Sequence, residues 1–507
     1  MNKSKQRKVG AILSYVSIIA STLVQLLYTP FLVSKLGQSE YGLYSLVSSI
    51  IGYLTILDLG FGNAIVVHTS KYRATGETEK AKTLHGMFKV IYLCIGVVAG
   101  IAGIIMAVNS EALFGGSMSA EDVDKMRIML MILSFNLFLT FSFSVYGSII
   151  TASENFVFQK VVSIIGIVAK PLLMIPVLFM GYKSIALCII ITVVNVGILI
   201  SNYVFCKYKL KIAVKFRGFD KKLFRTVFSY SFFVFLTQIV DQINWRADQF
   251  ILGMVSGTIA VAIYSAASQI NTMFINLSVA VSGVMLPKIS KMVARKASNE
   301  VLTNEMIKIG RIQFLIIFLV ASGFVLVGKE FMTQWLGSDF IESYYVTLLL
   351  ILPAILSLIQ NTGLAIMQAM NKFKFKAMST FIMALINIVL SIFLAKAYGA
   401  IGAAFGTTLS IIVCNVIVMN IYYKCVIKLD VWKFWKEILV MFIKFVIPIG
   451  LTVGLIYLTN MHGWFAVLLY GGFYVIMYSV VAYLFVINKY ERNLINSFLK
   501  KIHLMRR

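Results

Sequence analysis

The sequence contains few of the residues from which catalytic and metal sites are usually built. Its 507 residues include four histidines and five cysteines. The histidines are scattered without metal-ligand spacing, and the cysteines form neither a disulfide framework nor a metal-type pair. No G-x-S-x-G nucleophile elbow occurs, and GFVLVGKE from Gly323 misses a phosphate-binding loop because Glu330 replaces the required Ser or Thr. We therefore expect no enzymatic activity, no metal and no cofactor.

Charged residues are also scarce, at 13% of the chain, whereas 60% of the residues are hydrophobic and the mean hydropathy is +0.89. Soluble domains are usually about half apolar, so this composition indicates a polytopic membrane protein. The 46 Lys and Arg residues exceed the 20 Asp and Glu residues, but they lie in short loops between apolar runs. Because no basic soluble domain carries them, we expect no nucleic-acid partner. These loops, of no more than about 20 residues, leave no room for a soluble catalytic domain.

Apolar runs of about 20 residues mark membrane-spanning helices, and fourteen such runs are present. The first follows the basic start MNKSKQRK and reaches Val33, which is longer than a signal-peptide core of about 7 to 15 residues. We therefore predict that it spans the membrane. The fourteen runs have their centres near Ile19, Leu54, Val97, Ser142, Ile167, Val194, Val240, Asn271, Phe318, Ile355, Ile388, Ile412, Gly450 and Ile476.

The loops alternate in charge along the chain. Loops after even-numbered spans are basic, for example KYRATGETEKAK from Lys71 and KISKMVARK from Lys288. Loops after odd-numbered spans are short or acidic, as in the segment that begins at Asn109. By the positive-inside rule, the basic loops and both termini are predicted to be cytoplasmic.

The sequence contains a weak internal repeat at a spacing of about 217 residues. ASENFVF from Ala152 matches AMNKFKF from Ala369, and GYKSIAL from Gly181 matches AYGAIGA from Ala397. Parallel repeats with a site between them are typical of transporters. The predicted organisation is a six-helix lobe over 1–206, a basic cytoplasmic linker over 207–223, a second six-helix lobe over 224–425, and two extra helices with a basic tail over 426–507.

Polar side chains recur on the first two helices of each repeat. At steps of three and four residues they share one helix face. Small polar stripes also serve helix packing in lipid, and that alternative stays open for any single stripe. Stripes in equivalent places predict a shared central cavity. The first and eighth helices show the pattern most fully, at Ser14, Ser17, Ser21, Gln25 and Tyr28 and at Ser265, Ser268, Gln269, Thr272 and Asn276.

The most unusual span is FSYSFFVFLTQIVDQINWRADQFILG, at about 228–253. It carries Asp241, Arg246 and Asp248, which lie on one polar arc at about 100° per residue. Each charge at mid-membrane costs at least about 2.5 kcal/mol, so three of them predict that this arc lines a cavity. The alternative is a structural ion pair between Arg246 and Asp241 or Asp248.

Two further charges lie deep in apolar spans. Asp58, in LDLGFGNA, adjoins Gly60 and Gly62, which suits a locally unwound helix whose free carbonyls hold a cation or a proton carrier. Alternatively, Asp58 caps a kink or pairs with a neighbouring helix. Lys170, in VAKPLL, lies too deep to reach the interface easily and is predicted to face the cavity. Pairing of Lys170 with Asp58 is the alternative.

The order of LGQSEYGLYSL, LDLGFGNAI and QINWRADQFILG, within fourteen spans and two repeats, resembles the Wzx-type polysaccharide flippases. This family belongs to the multidrug/oligosaccharidyl-lipid/polysaccharide (MOP) exporter superfamily, with the MATE transporters and the lipid II flippases. The resemblance covers essentially the whole chain. It implies an all-α, MATE-like fold of two six-helix lobes plus two C-terminal helices. It also implies a bacterial inner-membrane flippase that moves an undecaprenyl-pyrophosphate-linked oligosaccharide to the outer leaflet by alternating access.

The resemblance further implies a cationic cavity for the pyrophosphate. Arg246, whose planar fork suits bidentate phosphate contact, and Lys170 are its predicted cations. Helices thirteen and fourteen are expected to hold the lipid tail, and membrane lipids and the polysaccharide polymerase machinery are the expected partners. The glycan is expected among Gln25, Gln242, Gln269, Asn63 and Asn276, and the candidates for coupling to H⁺ or Na⁺ are Asp58, Asp241 and Asp248.

Three other functions compete with this interpretation. A cation-coupled drug antiporter of the same superfamily would use the same acids, but it usually has twelve helices and little need for cavity cations. A membrane glycan polymerase needs a sizeable outer loop with catalytic Arg or His residues, whereas the outer loops here are short. A purely structural scaffold is disfavoured by the cost of the buried charges.

Overall fold

The structure is a computed structural model that describes residues 3–212, 228, 235, 239, 242, 246–282, 286–370 and 372–493. Every regular element in these ranges is helical, because lipid leaves no water to satisfy backbone groups outside a helix or a closed barrel. The chain divides into two compact units, Met1–Ala262 and Ile263–Arg507. This division does not test the predicted six-helix repeats, whose boundaries stay a prediction.

In the first unit α6 packs between α4 and α8, α3 lies against α4 and α6, and α1 pairs with α7. The apolar core of this unit surrounds Phe61, Phe88, Tyr92 and Phe141. A π-helical turn, Phe205–Lys209, extends α8. The helices are α1 Lys3–Leu36, α2 Gln38–Leu54, α3 Phe61–Ala74, α4 Thr78–Val108, α5 Ser110–Phe114, α6 Ala120–Ala152, α7 Phe156–Phe179, α8 Ser184–Val204 and α9, residues 246–255.

In the second unit α12 packs against α13, α17 and α18. Stacked aromatic rings, among them Phe314, Phe318, Phe445 and Tyr478, form the core at this junction. The helices are α10 Gly257–Ser282, which contains the division between the units, α11 Leu286–Ala294, α12 Asn299–Leu336, α13 Ile341–Leu358, α14 Asn361–Ala369, α15 Lys374–Ile411, α16 Met419–Tyr422, α17 Val431–Thr459 and α18 Trp464–Val481.

Several long helices begin at a polar capping residue. Ser119 Oγ accepts a hydrogen bond from the Asp122 N–H at 3.2 Å, and Asp430 caps α17 through the Lys433 N–H at 2.9 Å. Such caps satisfy backbone donors that the first helical turn leaves without partners. The chain therefore starts these helices at residues that the sequence marks.

Within the described residues, twelve helical segments are long and apolar enough to cross a membrane. One of them, Lys374–Ile427, is 54 residues long and is interrupted at Tyr398 and Gly399, whose backbone angles are not helical. It contains two of the predicted centres. The twelve segments include every predicted centre except the one near Val240, which lies outside the described residues. The total of fourteen therefore stays a prediction.

Candidate functional site

The second spanning segment, Gln38–Ala74, is broken near its middle. A 3₁₀ turn, Thr55–Asp58, and two residues with positive φ separate α2 from α3. These residues are Leu59, with φ 52°, and Gly60, with φ 71°. The left-handed region is open to glycine but strained for leucine. The predicted unwinding beside Asp58 is therefore confirmed.

Neutral groups hold the Asp58 carboxylate. Tyr92 Oη donates a 2.6 Å hydrogen bond to Asp58 Oδ1, and the backbone N–H groups of Gly60 and Gly62 also donate to this carboxylate. Tyr92 is fully buried, and its hydroxyl is hydrogen-bonded to Ser144 as well. Because the two N–H groups flank the start of α3, Asp58 caps the restarted helix. This is the capping arrangement that the sequence left open.

The Arg246 side chain lies against α2. Its Nη1 is 3.5 Å from the Ser48 carbonyl oxygen, and Ser49 Oγ donates to the Arg246 carbonyl oxygen, also at 3.5 Å. A β-carbon at Gly52 would overlap the guanidinium. The missing side chain at Gly52 thus provides the space that the Arg246 head group occupies.

The ion pair between Arg246 and Asp248 that the sequence allowed is not observed. Asp248 is buried, at 4% exposure, but no carboxylate among the described residues lies within ion-pair distance of Arg246. Asp241 lies outside the described residues. Within the part of the chain that the structure describes, Arg246 is therefore stabilised by dipoles and keeps its net charge.

Gln242 lies four residues before Arg246, a spacing that would put both on one face of a continuous helix. Its Oε1 is buried and has no hydrogen-bond partner among the described residues. The hydroxyl of Tyr28, on the polar stripe of α1, is in the same situation. Buried polar atoms are normally hydrogen-bonded, so each exception requires an explanation. Both groups are therefore candidates for contact with water or a polar ligand.

Lys170 and Gln25 lie level with each other on neighbouring helices. α1 and α7 run in the same direction, since Gly10 packs against Phe156 and Lys35 lies 4.6 Å from the Phe179 ring centroid. Between these contacts the numbering differs by about 145 residues, which sets Gln25 at the same height as Lys170. Lys170 is half-buried and Gln25 is exposed.

The alternative pair of Lys170 with Asp58 does not form, because Asp58 is bound by Tyr92 and by backbone N–H groups. Lys170 has no hydrogen-bond or ion-pair partner among the described residues. Among the described residues, neither an ion pair nor a hydrogen bond therefore explains a lysine at this depth.

The remaining predicted contacts are more scattered. Asn63 is exposed on the first turn of α3 in the first unit. Gln269 is half-buried and Asn276 is exposed, and both lie on the part of α10 that belongs to the second unit. The first unit thus holds five of the seven residues predicted to bind substrate.

A buried charge cluster in the second unit was not predicted. Arg311 of α12 donates from Nε and Nη2 to Glu491, at 2.8 and 3.1 Å, and from Nη1 to Glu437 at 2.9 Å. Arg311 is 7% exposed and Glu491 is 3% exposed. The available signal was an arginine at the start of the apolar run GRIQFLIIF, whose partners Glu437 and Glu491 lie in distant segments. The sequence alone could not show that these three residues pair.

A second unpredicted cluster surrounds Glu40 at the start of α2. Its carboxylate accepts hydrogen bonds from the Ser184 hydroxyl and N–H and from Lys125 Nζ, the last at 3.2 Å. The contact with Ser184 caps α8, so Glu40 joins three helices of the first unit. Among the described residues no three His, Cys, Asp or Glu side chains converge as a metal site requires.

The fold is similar to those of two solved transporters. The lipid II flippase MurJ, in an inward closed conformation, matches with a TM-score of 0.71 at 19% identity, over 96% of this chain and 99% of that one. An inward-facing multidrug resistance MATE family transporter of the MOP superfamily matches with a TM-score of 0.67 at 14% identity, over 80% and 96%. The expected all-α, MATE-like membrane fold is therefore confirmed.

Sequence comparison agrees with this result. The "Putative O-antigen transporter" of Shigella flexneri is 21% identical over 411 residues, which cover 79% of this chain and 94% of that protein. A family described as "Polysaccharide biosynthesis protein" matches residues 8–293, more than half of the chain. The resemblance to polysaccharide transporters is thus confirmed, and the chain belongs to the polysaccharide biosynthesis protein family.

Proposed function

We propose that the protein is a flippase that moves an undecaprenyl-pyrophosphate-linked oligosaccharide from the cytoplasmic to the outer leaflet of a bacterial inner membrane by alternating access. The family and the names of its relatives support a lipid-linked glycan as the substrate. The observation that carries the proposal furthest is the environment of Arg246, a half-buried guanidinium whose described contacts are with a carbonyl oxygen.

Electrostatics connects this environment with the substrate. A pyrophosphate that leaves water needs compensating positive charge, because charge interactions strengthen as the dielectric falls. The Arg246 fork can bind phosphate oxygens in a bidentate manner, which a lysine cannot do. Lys170, level with Gln25, supplies a second cation. The Oε1 of Gln242 offers a buried acceptor to a glycan hydroxyl one turn away from the arginine.

The other predicted contacts complete the proposal. Asn63, Gln269 and Asn276 are assigned to the glycan, and Asp58, Asp241 and Asp248 to coupling with H⁺ or Na⁺. Both termini are assigned to the cytoplasm because the basic loops share their side of the membrane. The flipped glycan would then be received by polysaccharide polymerase machinery on the outer side.

The test is leaflet accessibility of a short undecaprenyl-pyrophosphate glycan in proteoliposomes. The intact protein is compared with Arg246→Ala and Lys170→Ala at matched insertion. Lys35→Ala is the control, since Lys35 is an exposed lysine of the same unit. We expect Arg246→Ala to reduce transfer at least 100-fold and Lys170→Ala about tenfold, which correspond to about 2.7 and 1.4 kcal/mol. Lys35→Ala is expected to be active. Unchanged transfer by Arg246→Ala would contradict the phosphate-binding role assigned to Arg246.

Cation-coupled antiport of a small molecule is the second candidate. The observation that favours it is Asp58, a carboxyl group at a helix break whose described hydrogen-bond donors are all neutral. The same proteoliposomes distinguish the two functions. If the glycan is not transferred but a cationic dye is exchanged for protons or sodium, and Asp58→Asn stops that exchange, the antiporter replaces the flippase.

A further inference from the structure

A cleft in the first unit lies apart from all of these residues. Its volume is about 780 Å³, and its walls come from α4, α6 and α8. Pockets of 300 to 1,000 Å³, by the usual rough range, are large enough for a drug-sized ligand. Leu93, Ile200 and Val204 line the cleft and are 42 to 50% exposed, so it opens at the surface of the unit. An apolar cleft that opens from a spanning bundle is filled by lipid.

The polar groups of the cleft are concentrated around one lysine. Lys89 Nζ lies 5.8 Å from the centroid of the Tyr146 ring, which is within cation–π range. Tyr146 packs edge-on against Tyr203, with centroids 5.1 Å apart and planes at 74°. Lys207, one turn beyond Tyr203, lies 5.7 Å from the Tyr203 ring centroid. Lys89 and two tyrosines therefore line the cleft together, and Lys207 contacts one of these tyrosines from outside the lining.

The depth of these groups matches a lipid headgroup region. Tyr146 and Tyr203 each lie six residues before the end of their helical segment, at Ala152 and Lys209. Six residues of helix correspond to roughly 9 Å. Both ends are predicted to be cytoplasmic, and tyrosines at this depth are typical of the membrane interface. Lys89 lies deeper, and its long side chain can extend towards the phosphate level.

The chemistry of the lining favours one kind of lipid. The described residues that line the cleft include a single full charge, Lys89, and no Asn, Gln, Asp, Glu or Arg. A lysine ammonium carries three donors and can bind a phosphodiester oxygen, whereas a glycan would need several amide or carboxylate partners. The apolar part, with Leu93, Ile200 and Val204, suits an acyl chain. An undecaprenyl-pyrophosphate glycan is therefore a poor match for this cleft.

We infer that the cleft between α4, α6 and α8 binds one anionic phospholipid of the cytoplasmic leaflet, with its phosphate at Lys89 and one acyl chain against Leu93, Ile200 and Val204. This site does not depend on the proposed transport function, because it uses none of the residues assigned to the substrate. Its occupant is part of the membrane that surrounds the protein.

Native mass spectrometry of the full chain tests the inference. The protein is purified in mild detergent and titrated with equimolar phosphatidylglycerol and phosphatidylcholine. We expect one phosphatidylglycerol to be retained, at least fivefold more strongly than phosphatidylcholine. Lys89→Gln is expected to abolish this preference. Lys35→Gln is the control, because Lys35 also lies over an aromatic ring but outside the cleft, and it should keep the preference.

A second variant and a second lipid complete the test. Leu93→Trp fills the cleft without changing its charge, and it is expected to lower retention of the single lipid at least fivefold even where Lys89→Gln folds poorly. Titration with undecaprenyl phosphate examines the other source of a lipid phosphate. Equal retention by Leu93→Trp and the intact protein would identify annular lipid only. Stronger binding of undecaprenyl phosphate than of phosphatidylglycerol would assign the cleft to the glycan carrier, and either result would overturn the inference.

Discussion

The deep charges of the first unit and those of the second are stabilised in different ways. In the first unit Arg246 contacts a carbonyl oxygen, and Asp58 accepts hydrogen bonds from Tyr92 and from backbone N–H groups. In the second unit Arg311 binds the carboxylates of Glu437 and Glu491. Dipoles stabilise a charge without cancelling it, whereas counter-ions neutralise it. Among the described residues the first arrangement contains no counter-ion, whereas the second joins helices through ion pairs.

In the second unit, charged residues of α12 contact the hairpin of α17 and α18 at both ends of the hairpin. Arg311 and Glu330 lie nineteen residues apart on α12, roughly 29 Å along the helix, which is close to the thickness of a bilayer core. Glu330 accepts a 2.6 Å hydrogen bond from the Gly463 N–H and lies 3.4 Å from His462 Nδ1. The hairpin of α17 and α18 is therefore attached to α12 near both ends. Its predicted role as a lipid-tail groove stays a prediction.

The largest effect is expected from Arg311→Met. Removal of the arginine leaves Glu491 buried without its counter-ion, which costs about 3–5 kcal/mol. Thermal unfolding in detergent is the measurement. Arg246→Met is the matched control in the first unit, and its free energy of unfolding is expected to change by less than about 1 kcal/mol. Equal destabilisation by the two variants would show that the two arginines do not differ in how they stabilise the fold.

A smaller loss of stability is expected from Tyr92→Phe. The variant removes the 2.6 Å hydrogen bond to the Asp58 carboxyl group, which is worth up to about 3 kcal/mol. Tyr478→Phe is the control, since that hydroxyl donates to the neutral Leu315 carbonyl at 2.9 Å and its loss should cost about 0.5–1.5 kcal/mol. Both are measured by unfolding in detergent. If Tyr478→Phe is the more destabilising variant, the hydrogen bond from Tyr92 to Asp58 is not the stronger of the two.

Gly52→Ala tests the position of the Arg246 side chain and leaves its charge in place. The added methyl group overlaps the guanidinium, which is the flexible end of a long side chain, so displacement of Arg246 is expected and unfolding is not. Glycan transfer should fall about tenfold, or 1.4 kcal/mol. Gly100→Ala on α4 is the control, because its new β-carbon would lie 3.6 Å from Phe138, an ordinary contact. Full transfer by Gly52→Ala would show that the observed position of Arg246 is unimportant.

The smallest effect is expected from Glu330→Gln. His462 is exposed, so the lost pair is worth no more than about 1 kcal/mol, and the amide oxygen still accepts from the Gly463 N–H. Glu491→Gln is the comparison within the same unit, and it should destabilise the protein by more, because Glu491 is buried with Arg311. Unfolding temperatures of the two variants in detergent decide the order. A reversed order would contradict the view that burial makes the Arg311 cluster the stronger attachment.

Local sequence patterns predicted most of the fold and part of the site. The spanning segments follow from runs of apolar residues, and the break beside Asp58 follows from two glycines next to a charge in such a run. The distinctive position of Arg246 was also visible as a charge in an apolar helix. The partners of these charges were not predictable, because Tyr92, Gly52 and Glu491 are ordinary residues in their own segments.

The amino-acid sequence by itself determined that the chain is helical and membrane-embedded, since these properties depend on composition and on periodicity within about 20 neighbouring residues. Only the tertiary structure decided which described charges meet a carboxylate. Arg246 and Arg311 are both arginines in apolar spans, and among the described residues α2 presents a carbonyl oxygen and a glycine to Arg246, while α17 and the segment after α18 present carboxylates to Arg311. Contacts over such separations depend on how helices pack, and no local pattern records them.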